Sequence, residues 1–180
     1  MKHAIGPRRE IGVRTVFNIL GPMTNPAGAL HQVIGVFDGA WTERIANALG
    51  SLGSRHALVV HGHDGLDEIT ITGSTRVSEL HDGSVTTYDL DPREYGFKLA
   101  SPDALKGGEA PENAEILRDV LAGSSGARRD IVLLNAAAAL MAVEAVTEIA
   151  AGVDVARDAI DSGRAAQCLT DLVKVSNSAA

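Results

Sequence analysis

The 180-residue sequence holds a single cysteine, Cys168, so no disulfide can close within the chain and a secreted, disulfide-stapled scaffold is excluded. Its neighbours, AAQCLTDL, read as a helix that turns Cys168 into a core. Aromatic residues are scarce, at 3%. The core must therefore be built from Ala, Val, Leu and Ile, and the stacking platform of a single-strand binder lacks its material. Basic charge is short as well: 16 Lys and Arg face 23 Asp and Glu, a net charge of −7. That balance argues against nucleic acid as a partner, because a grip on bare phosphates needs a basic patch. A phosphorylated substrate brought in with a divalent cation stays open. Long hydrophobic runs are missing too. The longest, Ile131 to Val143, carries Asn135 and is too short to span a bilayer. Nothing at Met1-Lys2-His3 resembles a signal peptide, and the expectation is a cytoplasmic protein with no membrane partner.

What is present fits one domain with an ordinary core: 45% of residues are hydrophobic and 22% charged. The first 30 residues are punctuated by Gly and Pro, with a helical turn or two expected over TVFNIL. HQVIGVF (31–37) and RHALVVHG (55–62) read as strands, and WTERIANALGSLG (41–53) as the helix between them. Strand, helix and strand with short connections make a βαβ unit with parallel strands. EITITG and TRVSEL read as further extended segments. Asp82-Gly83 sits between alternating stretches and predicts a hairpin. Beyond Pro92 the pattern predicts a linker and then helices over ENAEILRDVLAG, DIVLLNAAAALMAVEAVTEIAAG, VDVARDAIDSG and RAAQCLTDLVKV. Gly123, Gly152 and Gly163 are each expected to close one of them. The fold class is α/β: a partial parallel sheet, a β-hairpin addition and a helical C-terminal third that covers the sheet.

Two stretches carry chemistry. HGHDGLDEIT (61–70) hangs from the end of the second strand, the edge where open α/β sheets collect ligands. Asp67 and Glu68 supply hard oxygens suited to Mg²⁺. The same residues also read as a solvated acidic loop, and His61, His63 and Asp64 offer a third reading as transition-metal ligands of a hydrolase. GPRREIGVRT carries Arg8, Arg9 and Arg14, whose guanidinium forks match a carboxylate; position alone does not choose among them.

Taken together, PRREIGVRTVFNILGPMTNPAGA, VVHGHDGLDEITITGSTRVSEL, RRDIVLLNAAAAL and AIDSGRAAQCL resemble anthranilate phosphoribosyltransferase across nearly the whole chain. The resemblance implies a nucleoside phosphorylase/phosphoribosyltransferase-like catalytic domain. It implies transfer of phosphoribose from phosphoribosyl pyrophosphate to the amino group of anthranilate in tryptophan biosynthesis, with Mg²⁺. It carries the anthranilate-carboxylate arginine onto Arg8, the magnesium pair onto Asp67 and Glu68, and a position lining the anthranilate pocket onto Gly21. Asn135 and Asp161 to Gly163 belong to the pattern and read as packing and capping. Members of the family open with a small helical domain that forms a homodimer, then a strand and a glycine-rich loop that cradles pyrophosphate. No such loop follows a strand in this sequence, so residues 1–180 are expected to be the C-terminal portion of the catalytic domain. That portion is expected to bind metal weakly and to be inactive by itself. Two other functions stay in view: a non-catalytic nucleic-acid-binding relative of the same fold, and the metal-dependent hydrolase.

Overall fold

The computed structural model describes Gly21 and residues 23–178, which leaves Arg8 and the turns expected over TVFNIL outside the described residues. Strand β1 (His31–Gly35) runs parallel to β2 (His56–Gly62), with His31 opposite His56 and Gly35 opposite Val60. Helix α1 (Thr42–Ser51) makes the crossover between them. Its end is closed by Gly53 at φ +94, with Gly53 N–H donating to Gly50 and Ser54 N–H to Leu49, the paired bonds of a Schellman cap. The sheet then turns antiparallel. β3 (Thr75–His81) pairs with β2, and β4 (Ser84–Leu90) with β3, giving the order β1-β2-β3-β4. Asp82 and Gly83 join β3 to β4 at φ 46 and 81, the two left-handed positions of a type I′ hairpin turn.

Successive side chains of β2 point to opposite faces, and both faces are covered, which is why HALVV is apolar without alternation. On one face Ala57 and Val59 pack with Ile34, Val36 and Leu80 against Ile45, Ala46 and Leu49 of α1. On the other, Leu58 and Val60 pack with Val77 and Leu90 against the C-terminal helices. Those helices are α2 (Ala110–Leu121), α3 (Ala127–Ala142), α4 (Ile149–Asp161) and α5 (Arg164–Ser178). Leu133, Leu134, Ala137, Ala138 and Met141 of α3 make the centre of this second layer.

Four expectations are corrected. The long helix foreseen from Asp130 to Gly152 is two helices, α3 and α4. The break is a Schellman cap whose left-handed residue is Glu144, at φ 58, with Glu144 N–H donating to Met141 and Ala145 N–H to Leu140. Gly152 closes nothing: it lies buried inside α4, where a Cβ would stand 2.9 Å from the Cα and Cβ of Ala137. It is there so that α3 and α4 can touch. EITITG is not a strand: the chain has left the sheet after Gly62 and does not return until Thr75. Cys168 is exposed, because α5 packs on the outside of the helical layer and buries none of its residues fully.

Candidate functional site

The loop of residues 63–74 links β2 to β3 at the carboxyl end of the β1–β2 pair. Its base is closed by backbone: Gly62 N–H donates to Leu66 (2.8 Å), Gly65 N–H to Gly62 (2.9 Å) and His63 N–H to Ser74 (3.0 Å). Its interior is organised by Asp64. One carboxylate oxygen accepts from the hydroxyls of Thr70 (2.6 Å) and Thr72, and the other from the Leu66 N–H (3.1 Å). Burial pushes the Asp64 carboxyl up, but the hydrogen bonds from Thr70, Thr72 and the Leu66 and Asp64 amides outweigh it and hold the group below its ordinary value.

Two glycines make the path possible. A Cβ on Gly62 would strike the Asp64 carboxylate, and a Cβ on Gly35, the last residue of β1, would fall inside the radius of the Asp67 carbonyl oxygen. The loop therefore lies directly across the end of β1. A long-range clamp fixes its far side. Ile69 N–H donates to Asn135 Oδ1 (3.0 Å), while Asn135 Nδ2 donates to the carbonyls of Ile69 (2.7 Å) and of Ile131 (3.0 Å). Ile69, Thr70 and Ile71 are fully buried behind it.

What remains at the tip is Asp67 and Glu68, both exposed. Among the described residues no hydrogen bond or ion pair engages either carboxylate. The backbone is held and the charges are left over. Two adjacent hard-oxygen donors on a fixed backbone, open to water, fit a magnesium ion, which keeps several of its waters and takes one or two protein carboxylates. Glu68 also stands on the rim of a cavity of about 400 Å³ that Leu66, Lys106, Asn113, Arg128 and Ile131 help to line.

The other candidates fare differently. His61, His63 and Asp64 do not converge. His61 Nδ1 donates to the Val36 carbonyl (2.7 Å), His63 Nε2 meets Asp89 (2.8 Å), and Asp64 is spent on Thr70 and Thr72. The hydrolase reading loses its ligand set. Gly21 is exposed, its carbonyl accepting from Thr24 N–H (3.3 Å), with open space where a Cβ would stand. Asn135 is the residue that sequence reasoning placed in packing and that instead positions the loop. Its one local signal is an amide in an otherwise apolar run.

A parallel pair extended by a hairpin, with a clamped acidic loop at its carboxyl end, places two free carboxylates at the edge where open α/β sheets collect ligands. Residues 1–166 match the glycosyl transferase family, a/b domain, and the chain belongs to that family. Within it, the relatives are anthranilate phosphoribosyltransferases. The enzyme of that name from Acetivibrio thermocellus is 53% identical over 178 residues, which are 99% of this chain and 52% of the relative. That of Thioalkalivibrio sulfidiphilus is 53% identical over 173 residues, 96% of this chain and 51% of the relative. The crystal structure of anthranilate phosphoribosyltransferase from Thermus thermophilus superimposes with a TM-score of 0.89 at 44% identity, over 97% of this chain and 51% of that one. The Saccharomyces cerevisiae enzyme in complex with PRPP and Mg superimposes with a TM-score of 0.85 at 28% identity, over 94% of this chain and 49% of that one. The chain thus spans about half the length of the relatives it matches.

Proposed function

We propose that this chain is the C-terminal portion of an anthranilate phosphoribosyltransferase catalytic domain, cytoplasmic, and that its share of the site is the magnesium loop and the anthranilate-orienting arginine. The observation that carries the reading is the pair Asp67 and Glu68, left without partners at the tip of a loop whose backbone is pinned by Asn135 and seated on Gly35. The relatives' name, anthranilate phosphoribosyltransferase, and the complex of one of them with PRPP and Mg support the reaction proposed here: phosphoribose passes from phosphoribosyl pyrophosphate to the anthranilate amine in tryptophan biosynthesis, and pyrophosphate leaves.

Asp67 and Glu68 are the residues that would hold Mg²⁺, which supplies positive charge against the pyrophosphate leaving group. Arg8 would pair with the anthranilate carboxylate through its two-pronged guanidinium, and Gly21 would leave room beside the ring. The protein's work is positioning two substrates rather than covalent chemistry, so no nucleophile is required. The partner set is the two substrates and, once joined to the helical domain, a second copy in a homodimer. The net charge of −7 argues against nucleic acid as a partner, and no helix among the described residues is long and apolar enough to cross a bilayer. The outer edge of β1 pairs with no strand among the described residues, which suits a sheet that continues in the preceding half of a longer enzyme.

The test follows anthranilate consumption by fluorescence, with phosphoribosyl pyrophosphate and Mg²⁺. It is run on the 180-residue chain alone and with the preceding half of the Acetivibrio thermocellus relative supplied in trans. Activity is expected only on complementation. Turnover by the chain alone would refute the divided site, and silence in both arms would refute the catalytic reading.

A further inference from the structure

The end of the sheet opposite the acidic loop carries a second constellation. His31 stands opposite His56 across β1 and β2, and His56 opposite His81 across β2 and β3, so three histidines form one rung. Directly opposed residues share a face, here the face of Leu58 beneath α3. His31 is engaged: its Nδ1 donates to the Ala142 carbonyl at the end of α3 (2.7 Å).

His56 is not fully engaged. Its side chain is 4% exposed, and its Nε2 lies 2.8 Å from Glu79 Oε1. A carboxylate only accepts, so Nε2 carries a proton, and in the neutral imidazole Nδ1 keeps a lone pair. That buried Nδ1 meets no hydrogen-bond partner among the described residues. Leaving such a nitrogen buried and unpaired is unfavourable, and a metal bond would offset that cost. Glu79 is itself fixed, since the Tyr88 hydroxyl donates to its Oε2 (2.9 Å). Burial, and then the Glu79 charge, push the Tyr88 hydroxyl up, so it keeps its proton. The donor atoms of His56, His81 and Glu144 all lie within 4.8 Å of one another. Glu144 is delivered there by the left-handed cap that separates α3 from α4.

We propose that His56, His81 and Glu144 form a binding site for a transition-metal dication of the zinc class, distinct from the magnesium loop. Two imidazoles and one carboxylate are a donor set that Zn²⁺ accepts, with a fourth position left for water. The series Tyr88–Glu79–His56 is the outer support such a ligand uses: a carboxylate on the far ring nitrogen fixes the tautomer and makes the near nitrogen more basic. Tetrahedral coordination brings donor atoms to about 3.3 Å from one another. His81, whose side chain is 54% exposed and meets Asp82 only at 3.9 Å, and Glu144, also exposed, can move to close that gap while His56 stays fixed. The ligands come from β2, β3 and the α3–α4 connection, so the ion ties the hairpin to the helical layer, and loading it stabilises the folded chain.

The experiment titrates the tag-free chain with Co²⁺, read by its visible d–d bands, and with Zn²⁺, read by displacement of Co²⁺ and by the shift in Tm. One equivalent is expected, with a rise in Tm. His81→Ala and Glu144→Gln should each weaken binding at least about tenfold, and Glu79→Gln by about tenfold through the outer support alone. The Asp67→Asn, Glu68→Gln double variant should keep the Co²⁺ spectrum and affinity. His81 and Glu144 are exposed, so their variants are expected to match the metal-free parent in circular dichroism and urea midpoint. No d–d spectrum in the parent, unchanged affinity in His81→Ala, or loss of binding in the double loop variant would each overturn the proposal.

Discussion

The two ends of the sheet solve opposite problems. At the carboxyl end of β1 and β2 the backbone leaves the ladder, and side chains are used to hold it: Asp64 gathers two hydroxyls and an amide, and Asn135 clamps Ile69. The charges proposed to hold magnesium are those with no structural task, Asp67 and Glu68. At the other end the backbone is regular ladder from His31 through His56 to His81, and it needs no side-chain help. There His56, Glu79 and Tyr88 are fixed among themselves, and one imidazole nitrogen is left unpaired and buried. A site is thus made either by freeing a charge from a scaffolded loop or by leaving a lone pair on a rigid strand.

The sharpest way to break the first arrangement is Gly35→Ala. The added Cβ collides with the Asp67 carbonyl, so the loop must lift from β1. We expect a loss of about 2–3 kcal/mol in urea unfolding and loss of Mg²⁺ binding at the tip, while the histidine end keeps its Co²⁺ affinity. Asn135→Ala should come next. It strips the Ile69 N–H and C=O of their partner, costing about 1–3 kcal/mol, and weakens Mg²⁺ binding with Asp67 and Glu68 intact.

Those two residues also show how far the sequence could be read. β1, α1, β2 and the hairpin were legible because their signals are local: an apolar run, a helical repeat ending in Gly53, and Asp82-Gly83 between alternating stretches. Asp67 and Glu68 were legible as acidic residues just past a strand. EITITG was misread because its Ile and Thr pattern is that of a strand, while its amides go to Asn135 and to the Thr75 hydroxyl (2.9 Å from Thr70 N). Asn135 lies 66 residues from Ile69, and no local pattern announces that contact. The α3–α4 break hid behind Glu144, which takes the place where a glycine is usual, while Gly152 advertised a cap and serves as a helix contact.

Two smaller effects sharpen the comparison. Asp64 is held below its ordinary value, so its contribution is present above the unfolded carboxyl value, about 3.9, and is lost as pH falls through the lower folded one. The stability gap between the parent and Asp64→Asn, from urea midpoints, should therefore be constant near neutrality and shrink below about pH 4. At the opposite end, Glu144→Gly relieves the left-handed position and should raise stability by up to about 1 kcal/mol without metal, while removing a ligand and so abolishing the stabilisation by Zn²⁺.

The most direct measurement is a Mg²⁺ titration of the isotopically labelled chain followed by amide chemical shifts, beside the same titration of the Asp67→Asn, Glu68→Gln variant. Shifts confined to residues 64–70 in the parent and absent from the variant are the expected result. Shifts that persist in the variant, or a parent whose loop amides do not respond to Mg²⁺, would contradict a magnesium site at Asp67 and Glu68.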